Sequence, residues 1–266
     1  MKSIILAAGE GTRLRPHTNH LPKCMVEVND ISLIDRQLKV LRFEGIQDIT
    51  IIGGYHADKL PNSNIKLRHN PNYNSTNMLW TLFCANDQLN SEEDVIISYG
   101  DIVYSHKILN KLISSNADIA ITVDLNWESY WRSRSPNPLD DAETLRFDKN
   151  NLLTEIGQKP RVINEIQGQY MGLMKFSKKG QKLLRSAFQK GIEDGDIRGK
   201  LPEKAYMTDL MQMMIDEGIS IKSIGIHDYW VEVDTVEDLL SEETSIRLDH
   251  IANECNVVLD KPNNFD

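Results

Sequence analysis

The residues best suited to chemistry lie near the start of the chain, where a glycine loop is followed by two cations. An apolar run, Ile4–Ala8, leads into Gly9-Glu10-Gly11-Thr12, and Arg13 and Lys23 follow. Glycines let backbone N–H groups approach a phosphate closely, and Arg and Lys add positive charge. A buried strand that enters such a loop is typical of an α/β sheet whose strand ends hold a phosphate-bearing ligand.

The spacing of this loop excludes two common phosphate motifs. A dinucleotide fingerprint requires a third glycine at the position of Leu14, and a P-loop requires Lys and Ser or Thr directly after Gly11. Read by itself, the short glycine motif is also compatible with an ordinary strand and turn.

Two carboxylate sets are candidates for binding a divalent cation. Asp101 follows Gly100 at the end of an apolar strand, and in Trp230–Thr235 the strand alternation places Glu232 and Asp234 on one face. Mg²⁺ prefers carboxylate and phosphate oxygens. The alternative for each set is a polar turn or a solvated strand face.

A third cluster combines aromatic and charged side chains in residues 127–143. Trp127, Tyr130 and Trp131 offer a cage for a quaternary ammonium group, whereas Arg132 and Arg134 suit a carboxylate or phosphate. The acids that follow can receive an amine, so a zwitterionic ligand is predicted. The alternative is that the aromatics pack the core. Contacts to this ligand are expected from Trp131, Arg132, Arg134, Asp141, Glu143, Gln169 and Tyr170.

Composition limits the class of protein. The 266 residues carry a formal net charge of −9, without the basic stripe that is usual in nucleic-acid-binding proteins. The three cysteines are widely spaced and form neither a disulfide framework nor a metal pattern. A leader and a long apolar run are both lacking in the sequence, so we expect a cytoplasmic protein that does not bind membranes.

Apolar patterning predicts an α/β fold with a mainly parallel sheet covered on both faces. We expect one domain over residues 1–266, with a half that binds the phosphate-bearing ligand (1–125), a half that binds the zwitterionic group (126–240) and a C-terminal helix and tail (241–266) that frays from Leu259. A methionine stripe in residues 207–217 indicates core packing.

The same patterning predicts the individual elements. Strands are predicted over 4–8, 49–52, 65–68, 94–98, 119–123, 169–176 and 219–225, with a hairpin over 143–156. Helices are predicted over 32–43, 77–86, 108–114, 178–190, 207–217 and 236–253, and a mobile loop over 193–202.

The opening segment resembles the signature of the nucleotidyltransferases that activate sugar phosphates and phospho-alcohols, L-A-A-G-x-G-T-R-L-x-P-x-T-x-x-x-P-K. The chain matches it at Leu6, Ala7, Ala8, Gly9, Gly11, Thr12, Arg13, Leu14, Pro16, Thr18, Pro22 and Lys23. The resemblance implies a GT-A-like nucleotidyltransferase fold, a Rossmann-like three-layer sandwich with a mixed, mainly parallel sheet. It also implies that residues 6–12, including Glu10, wrap the triphosphate, that Arg13 contacts the leaving pyrophosphate, and that Lys23 contacts the reacting phosphates.

The same resemblance assigns the carboxylates. In this family the Gly-Asp pair supplies one metal ligand, which matches Asp101, and a W-x-E-x-D-T segment supplies the other, which matches Asp234. Mg²⁺ is therefore the expected cofactor, with Glu232 as a further candidate ligand from the same face.

The loop before the second predicted helix points to the nucleotide. With Tyr73, Thr76 and Asn77 it resembles the phosphocholine cytidylyltransferase branch of the family, which implies CTP rather than UTP or dTTP and adds Gly100 to the nucleotide contacts. Lys159 matches a lysine that reaches the substrate phosphate in the family's sugar enzymes, although Gln158 replaces their usual Glu.

The expected reaction is transfer of CMP from CTP to the phosphate or phosphonate of a small zwitterionic acceptor, with release of pyrophosphate. Phosphocholine, aminoethylphosphonate and a phospho-amino acid such as phosphoglutamine all fit, and a homodimer is a further expectation. Two alternatives stay open: a sugar-1-phosphate nucleotidyltransferase that uses UTP or dTTP, and a non-catalytic nucleotide-binding homologue.

Overall fold

The computed structural model describes residues 1–227 and 229–259, which places the end of the expected frayed tail, residues 260–266, outside the described residues. The strands are β1 (Lys2–Ala7), β2 (Glu27–Val28), β3 (Ile31–Ser32), β4 (Asp48–Gly53), β5 (Lys66–His69), β6 (Val95–Tyr99), β7 (Ile102–Tyr104), β8 (Ile119–Asp124), β9 (Leu145–Phe147), β10 (Leu153–Ile156), β11 (Gln169–Phe176), β12 (Lys222–Ile226) and β13 (Trp230–Glu232). The α-helices are α1 (Leu33–Phe43), α2 (Met78–Phe83), α3 (His106–Ile113), α4 (Trp127–Arg134), α5 (Lys178–Asp194), α6 (Met207–Asp216), α7 (Val236–Leu240) and α8 (Glu242–Leu259).

A seven-stranded sheet in the order β12-β8-β11-β6-β1-β4-β5 forms the centre of the molecule. Strand β1 pairs in parallel with β4 and β6, while β11 runs antiparallel between β6 and β8. Apolar clusters cover both faces of this sheet, because its strands are almost continuous runs of buried residues such as Ile4 and Ile5. The predicted mixed, mainly parallel α/β fold is confirmed.

Helix starts follow the local sequence closely in two places. The hydroxyl of Ser32 accepts a hydrogen bond from the Asp35 N–H at the start of α1, and Ser105 caps α3 in the same way. In α6, Met207, Met211 and Met214 are fully buried, so the predicted role of the methionine stripe in core packing is confirmed.

Three local predictions need correction. The helix expected over residues 236–253 is two helices, because Ser241 adopts an extended conformation between α7 and α8. Helix α2 begins at Met78 after the cap residue Asn77, one position later than expected, and it ends at Phe83 rather than at residue 86. Helix α5 continues to Asp194, four residues beyond the expected end at residue 190, and the next residue, Gly195, takes a left-handed conformation.

The predicted hairpin is present as the antiparallel pair β9 and β10. Within the described part of the chain, no helix has the length and apolar character needed to cross a membrane.

Candidate active site

A small two-stranded sheet, which sequence patterning did not reveal, brings the two candidate metal ligands together. Strand β7 pairs antiparallel with β13, with Ile102 opposite Glu232, and the N–H of Val233 donates to the Asp101 carbonyl at 3.1 Å. Asp101 therefore directly precedes β7, and Asp234 lies two positions after the end of β13. The pairing joins segments 131 residues apart (Asp101 and Glu232 differ by 131 positions), which no local pattern can predict.

Lys23 lies between these two carboxylates. Its ammonium group donates to Asp101 Oδ2 and to Asp234 Oδ1, the latter at 2.5 Å, and the guanidinium of Arg13 contacts Asp234 Oδ2. Burial would lower the pKa of Lys23, but the charges of Asp101 and Asp234 more than offset that effect and raise it. Two cations and two carboxylates thus meet in one cluster.

The donor set fits a magnesium ion. Asp101 Oδ1 is buried and has no hydrogen-bond partner among the described residues, so a buried carboxylate oxygen is left for a ligand. Those residues contain no group of three or more His, Cys, Asp or Glu able to hold a metal. Two carboxylates suffice, because Mg²⁺ is usually held by one or two carboxylates together with substrate phosphates.

The glycine loop leaves β1 and packs directly against Lys23. Gly11 has a φ of +63°, and a Cβ there would lie 3.0 Å from Lys23 Cβ. The Thr18 hydroxyl donates to the Gly11 carbonyl at 2.8 Å. Only glycine fits this turn without strain, so the loop and the catalytic candidate Lys23 are held in one arrangement.

A cavity of about 220 Å³ opens at the carboxyl end of β1 and β6, where ligands bind in open α/β sheets. Gly100 lines this cavity and packs against the backbone of β1, since a Cβ there would lie 2.8 Å from the Leu6 carbonyl oxygen. Many residues predicted for the nucleotide line this cavity: Leu6, Ala7, Ala8, Gly9, Tyr73, Thr76, Asn77 and Gly100. Lys23 and Asp101, predicted for the reacting phosphates and for the metal, line it too. The predicted loop residues Glu10, Gly11 and Thr12 are not part of its lining, and Glu10 pairs with Arg15 at 3.2 Å.

A second cavity of about 320 Å³ adjoins the first, and Met78 and Tyr99 line both. Of the residues predicted for the acceptor it contains Trp131, Asp141, Glu143, Gln169 and Tyr170. Its charged lining consists of Asp141, Glu143 and Glu232 against a single cation, Arg13. This excess of negative charge suits a positively charged group on the ligand.

Hydrogen bonds fix the acidic wall of this second cavity. The side-chain amide of Gln169 donates to the Glu143 carbonyl at 2.6 Å and its oxygen accepts from the Glu143 N–H at 3.3 Å. The indole N–H of Trp131 donates to Asp141 Oδ2 at 3.1 Å. Burial raises the pKa of Glu143, and the negative charge of Asp209 adds to that rise.

Glu232 lies between the second cavity and the carboxylate pair. Burial raises its pKa to about 7; the guanidinium of Arg134 opposes that shift, whereas Asp101 and Asp234 reinforce it.

Three residues predicted for the acceptor lie outside both cavities. Arg132 is exposed and pairs with Glu128 one helical turn away, at 2.7 Å. The ammonium group of Lys159 donates to the backbone carbonyls of Leu139 and Asp140. Arg134 is buried and forms ion pairs with acidic side chains of the β13–α7 segment.

The proposed aromatic cage is largely part of the core. Trp127, Tyr130 and Trp131 are all buried, and Trp131 contacts each of the other two rings edge to face. Only Trp131 reaches the second cavity. The alternative stated for this cluster, core packing, therefore describes Trp127 and Tyr130.

Sequence reasoning missed several lining residues. Met78 and Thr81 share the face of α2 that follows Asn77, and their helical spacing was a usable signal. Tyr206 and Thr208 come from the start of α6, far along the chain, and no local pattern marks them. Cys24 lines the first cavity and is a free thiol, as is Cys84.

The glycine loop, Lys23 and the two facing carboxylates thus lie together. The chain belongs to the family of MobA-like NTP transferase domains, whose model matches residues 3–152. The expected membership of the nucleotidyltransferase superfamily is thereby confirmed.

Within this family, the chain is similar to several cytidylyltransferases. The chain is 39% identical over 248 residues to the CTP:phosphoglutamine cytidylyltransferase of Campylobacter jejuni, a match that covers 90% of this chain and 98% of that protein. It is 35% identical over 119 residues to the choline-phosphate cytidylyltransferase of Streptococcus pneumoniae, covering 43% of this chain and 51% of that one. The solved structure of the CTP:phosphocholine cytidylyltransferase from Streptococcus pneumoniae shares the fold, with a TM-score of 0.70, 22% identity, and coverage of 92% of this chain and 98% of that one.

Proposed function

We propose that this protein is a cytidylyltransferase that transfers CMP from CTP to the phosphate of a small zwitterionic acceptor, with phosphoglutamine as the first candidate. The observation that carries this proposal is the pair of adjoining cavities that meet beside the Lys23, Asp101 and Asp234 cluster. One cavity has the glycine loop and strand-end position of a nucleotide site, and the other has room for a second small molecule.

The charge of the second cavity supports an acceptor with an amine. Asp141 and Glu143 form one wall, and Arg13 is the only cation in the lining. An amino group would lie against these acids, and the phosphate end would face Arg13 and Lys23. The relative in Campylobacter jejuni, which is named for phosphoglutamine, favours that acceptor over a hexose phosphate.

The proposed cofactor is Mg²⁺, held by Asp101 and Asp234. The unpartnered Oδ1 of Asp101 and the hard oxygen donors support this assignment. Bound there, the ion supplies positive charge that offsets the negative charge of the reacting phosphates.

The proposed step is a single displacement. An oxygen of the acceptor phosphate forms a bond to the α-phosphorus of CTP, the bond from that phosphorus to the bridging oxygen breaks, and pyrophosphate leaves with the electron pair. A phosphomonoester has a second pKa of about 6, so the attacking oxygen is already anionic and needs no general base.

The roles of the two cations follow from their positions. Lys23 has three N–H donors and uses two on the carboxylates, which leaves one for a phosphate oxygen. Arg13 is 61% exposed and lines the second cavity rather than the first, so it would meet the acceptor phosphate; its predicted contact with the leaving pyrophosphate stays a prediction. Catalysis would thus rest on positioning and charge neutralisation.

A matrix of substrates tests the proposal. Pyrophosphate release is measured with each of CTP, UTP, dTTP and ATP against phosphoglutamine, phosphocholine, aminoethylphosphonate and glucose 1-phosphate. We expect turnover with CTP and an amine-bearing acceptor only. Turnover restricted to UTP or dTTP with a hexose phosphate would refute the proposal. Cytidylyl transfer to phosphocholine alone would make phosphocholine, rather than phosphoglutamine, the acceptor.

A further inference from the structure

The guanidinium of Arg134 donates three hydrogen bonds to two acidic side chains, Glu232 and Asp238, close to the Asp101 and Asp234 pair. Its Nε and one terminal nitrogen donate to the two oxygens of Asp238, at 2.9 and 3.1 Å, and the other terminal nitrogen donates to Glu232 at 2.7 Å. Both acids flank Asp234, two positions before it and four after it. Arg134 is therefore bonded to either side of a candidate metal ligand without contacting the ligand itself.

Asp238 passes this constraint on to the backbone of Asp234. Its Oδ2 accepts hydrogen bonds from the N–H groups of Asp234 and Thr235, both at 3.0 Å. The Thr235 hydroxyl in turn accepts from the Asp238 N–H at 3.1 Å, which completes a capping box at the start of α7. An oxygen bonded to Arg134 thus fixes the peptide that presents the Asp234 side chain.

The surroundings of Arg134 make this arrangement rigid. Its side chain is only 12% exposed and that of Asp238 only 5%. The guanidinium lies 5.4 Å from the ring centres of Tyr130 and Trp131. A planar fork that is stacked on rings and bonded to a carboxylate through two nitrogens is a geometry that lysine cannot reproduce.

We propose that Arg134 is a positioning residue for Asp234, acting through Asp238, and that it sets the affinity of the Asp101 and Asp234 pair for a divalent cation. The expected effect on turnover rests on the proposed function, whereas the expected effects on cation binding and on the backbone of Asp234 do not. Partners of metal-ligating side chains commonly change metal affinity or activity by about 10- to 100-fold when they are replaced.

The test uses the variants Arg134→Lys and Asp238→Asn in the full chain. Each should raise the Mg²⁺ concentration for half-maximal turnover by about 10- to 100-fold, with a far smaller change in the KM for CTP. Mn²⁺ binding to the protein without nucleotide, followed by electron paramagnetic resonance, should weaken by a similar factor. Amide hydrogen exchange at Asp234 and Thr235 should become faster by on the order of tenfold.

A control variant on the same helix is Glu128→Gln, which removes an exposed ion pair far weaker than the buried fork. It should leave cation binding and the exchange of both amides as in the wild type. If Arg134→Lys fails to fold, Asp238→Asn gives the same readouts with an oxygen retained on that side chain.

The outcomes separate this inference from the proposed function. Unchanged exchange at both amides, or faster exchange with unchanged Mn²⁺ binding, overturns the positioning role whatever happens to turnover. A wild-type protein without cytidylyl transfer refutes the proposed function, whereas weaker Mn²⁺ binding with faster exchange in the variants still supports the inference.

Discussion

Replacing Lys23 by methionine is the sharpest test of the catalytic cluster. The change keeps most of the volume of the side chain and removes its charge. Asp234 retains its contact with Arg13, whereas Asp101 loses its cationic partner and already has one buried oxygen without a hydrogen bond. The variant therefore affects one carboxylate more than the other, which makes the result interpretable.

The expected magnitudes follow from this geometry. Removal of a preorganised group that stabilises transition-state charge typically lowers kcat by about 10²- to 10³-fold, or about 2.7–4 kcal/mol. Breaking a fully buried ion pair costs about 3–5 kcal/mol of folding free energy. We expect about 2–3 kcal/mol here, because Asp101 is 21% exposed and Asp234 keeps one cation.

The assay combines steady-state kinetics with thermal unfolding. Pyrophosphate release should show the loss in kcat, and the Tm of Lys23→Met should rise with added Mg²⁺ more than that of the wild type, since the ion then supplies the missing charge. Lys178→Met, which removes a 65% exposed lysine from a surface pair, is the control and should change stability by less than about 1 kcal/mol. A folded Lys23→Met variant with wild-type kcat would refute a role for Lys23 in the chemistry.

Four further substitutions test other parts of the site. Asp101→Asn and Asp234→Asn should each abolish most turnover and remove its response to Mg²⁺; wild-type rates in both variants would disprove the metal pair. Glu143→Gln should raise the KM of an amine-bearing acceptor about tenfold, in line with the loss of a charged hydrogen bond, and leave the KM for CTP unchanged; equal changes in both would contradict the assignment of the acidic wall. Gly11→Ala should cost about 1–2 kcal/mol of unfolding free energy from its left-handed backbone and also lower kcat, because its Cβ would displace Lys23; Gly195→Ala, with the same backbone class and nothing within 4 Å, should lose stability but keep kcat.

The sequence predicts the sheet well because buried parallel strands are nearly continuous apolar runs. Strand β1 and its loop are recognisable from residues 4–13 alone, and Asp101 follows directly from its place after β6. The pairing of β7 with β13 is different in kind. It depends on hydrogen bonds between distant segments, each only three residues long, so nothing local distinguishes it from a loop.

The two arginines of α4 show where side-chain roles exceed sequence information. Residues two positions apart on a helix point about 200° apart, so Arg132 and Arg134 cannot both face inward. Which one does is decided by Asp238, 104 positions further on, through a contact that only the folded chain creates. The sequence places both arginines in a cluster of charged and aromatic residues, but which of them faces inward is a tertiary property.

The shared wall of the two cavities has a consequence for how new enzymes arise from this scaffold. Every residue that lines the first cavity falls between positions 6 and 101, whereas the second cavity draws on positions 131–232 apart from Arg13, Met78 and Tyr99. Under the proposed function, changes in the later segment would therefore alter which acceptor is taken while the lining of the first cavity stays as it is. Exchange of that segment between relatives is a direct route to redesigned specificity, with Met78 and Tyr99 as the positions where the two halves must be matched.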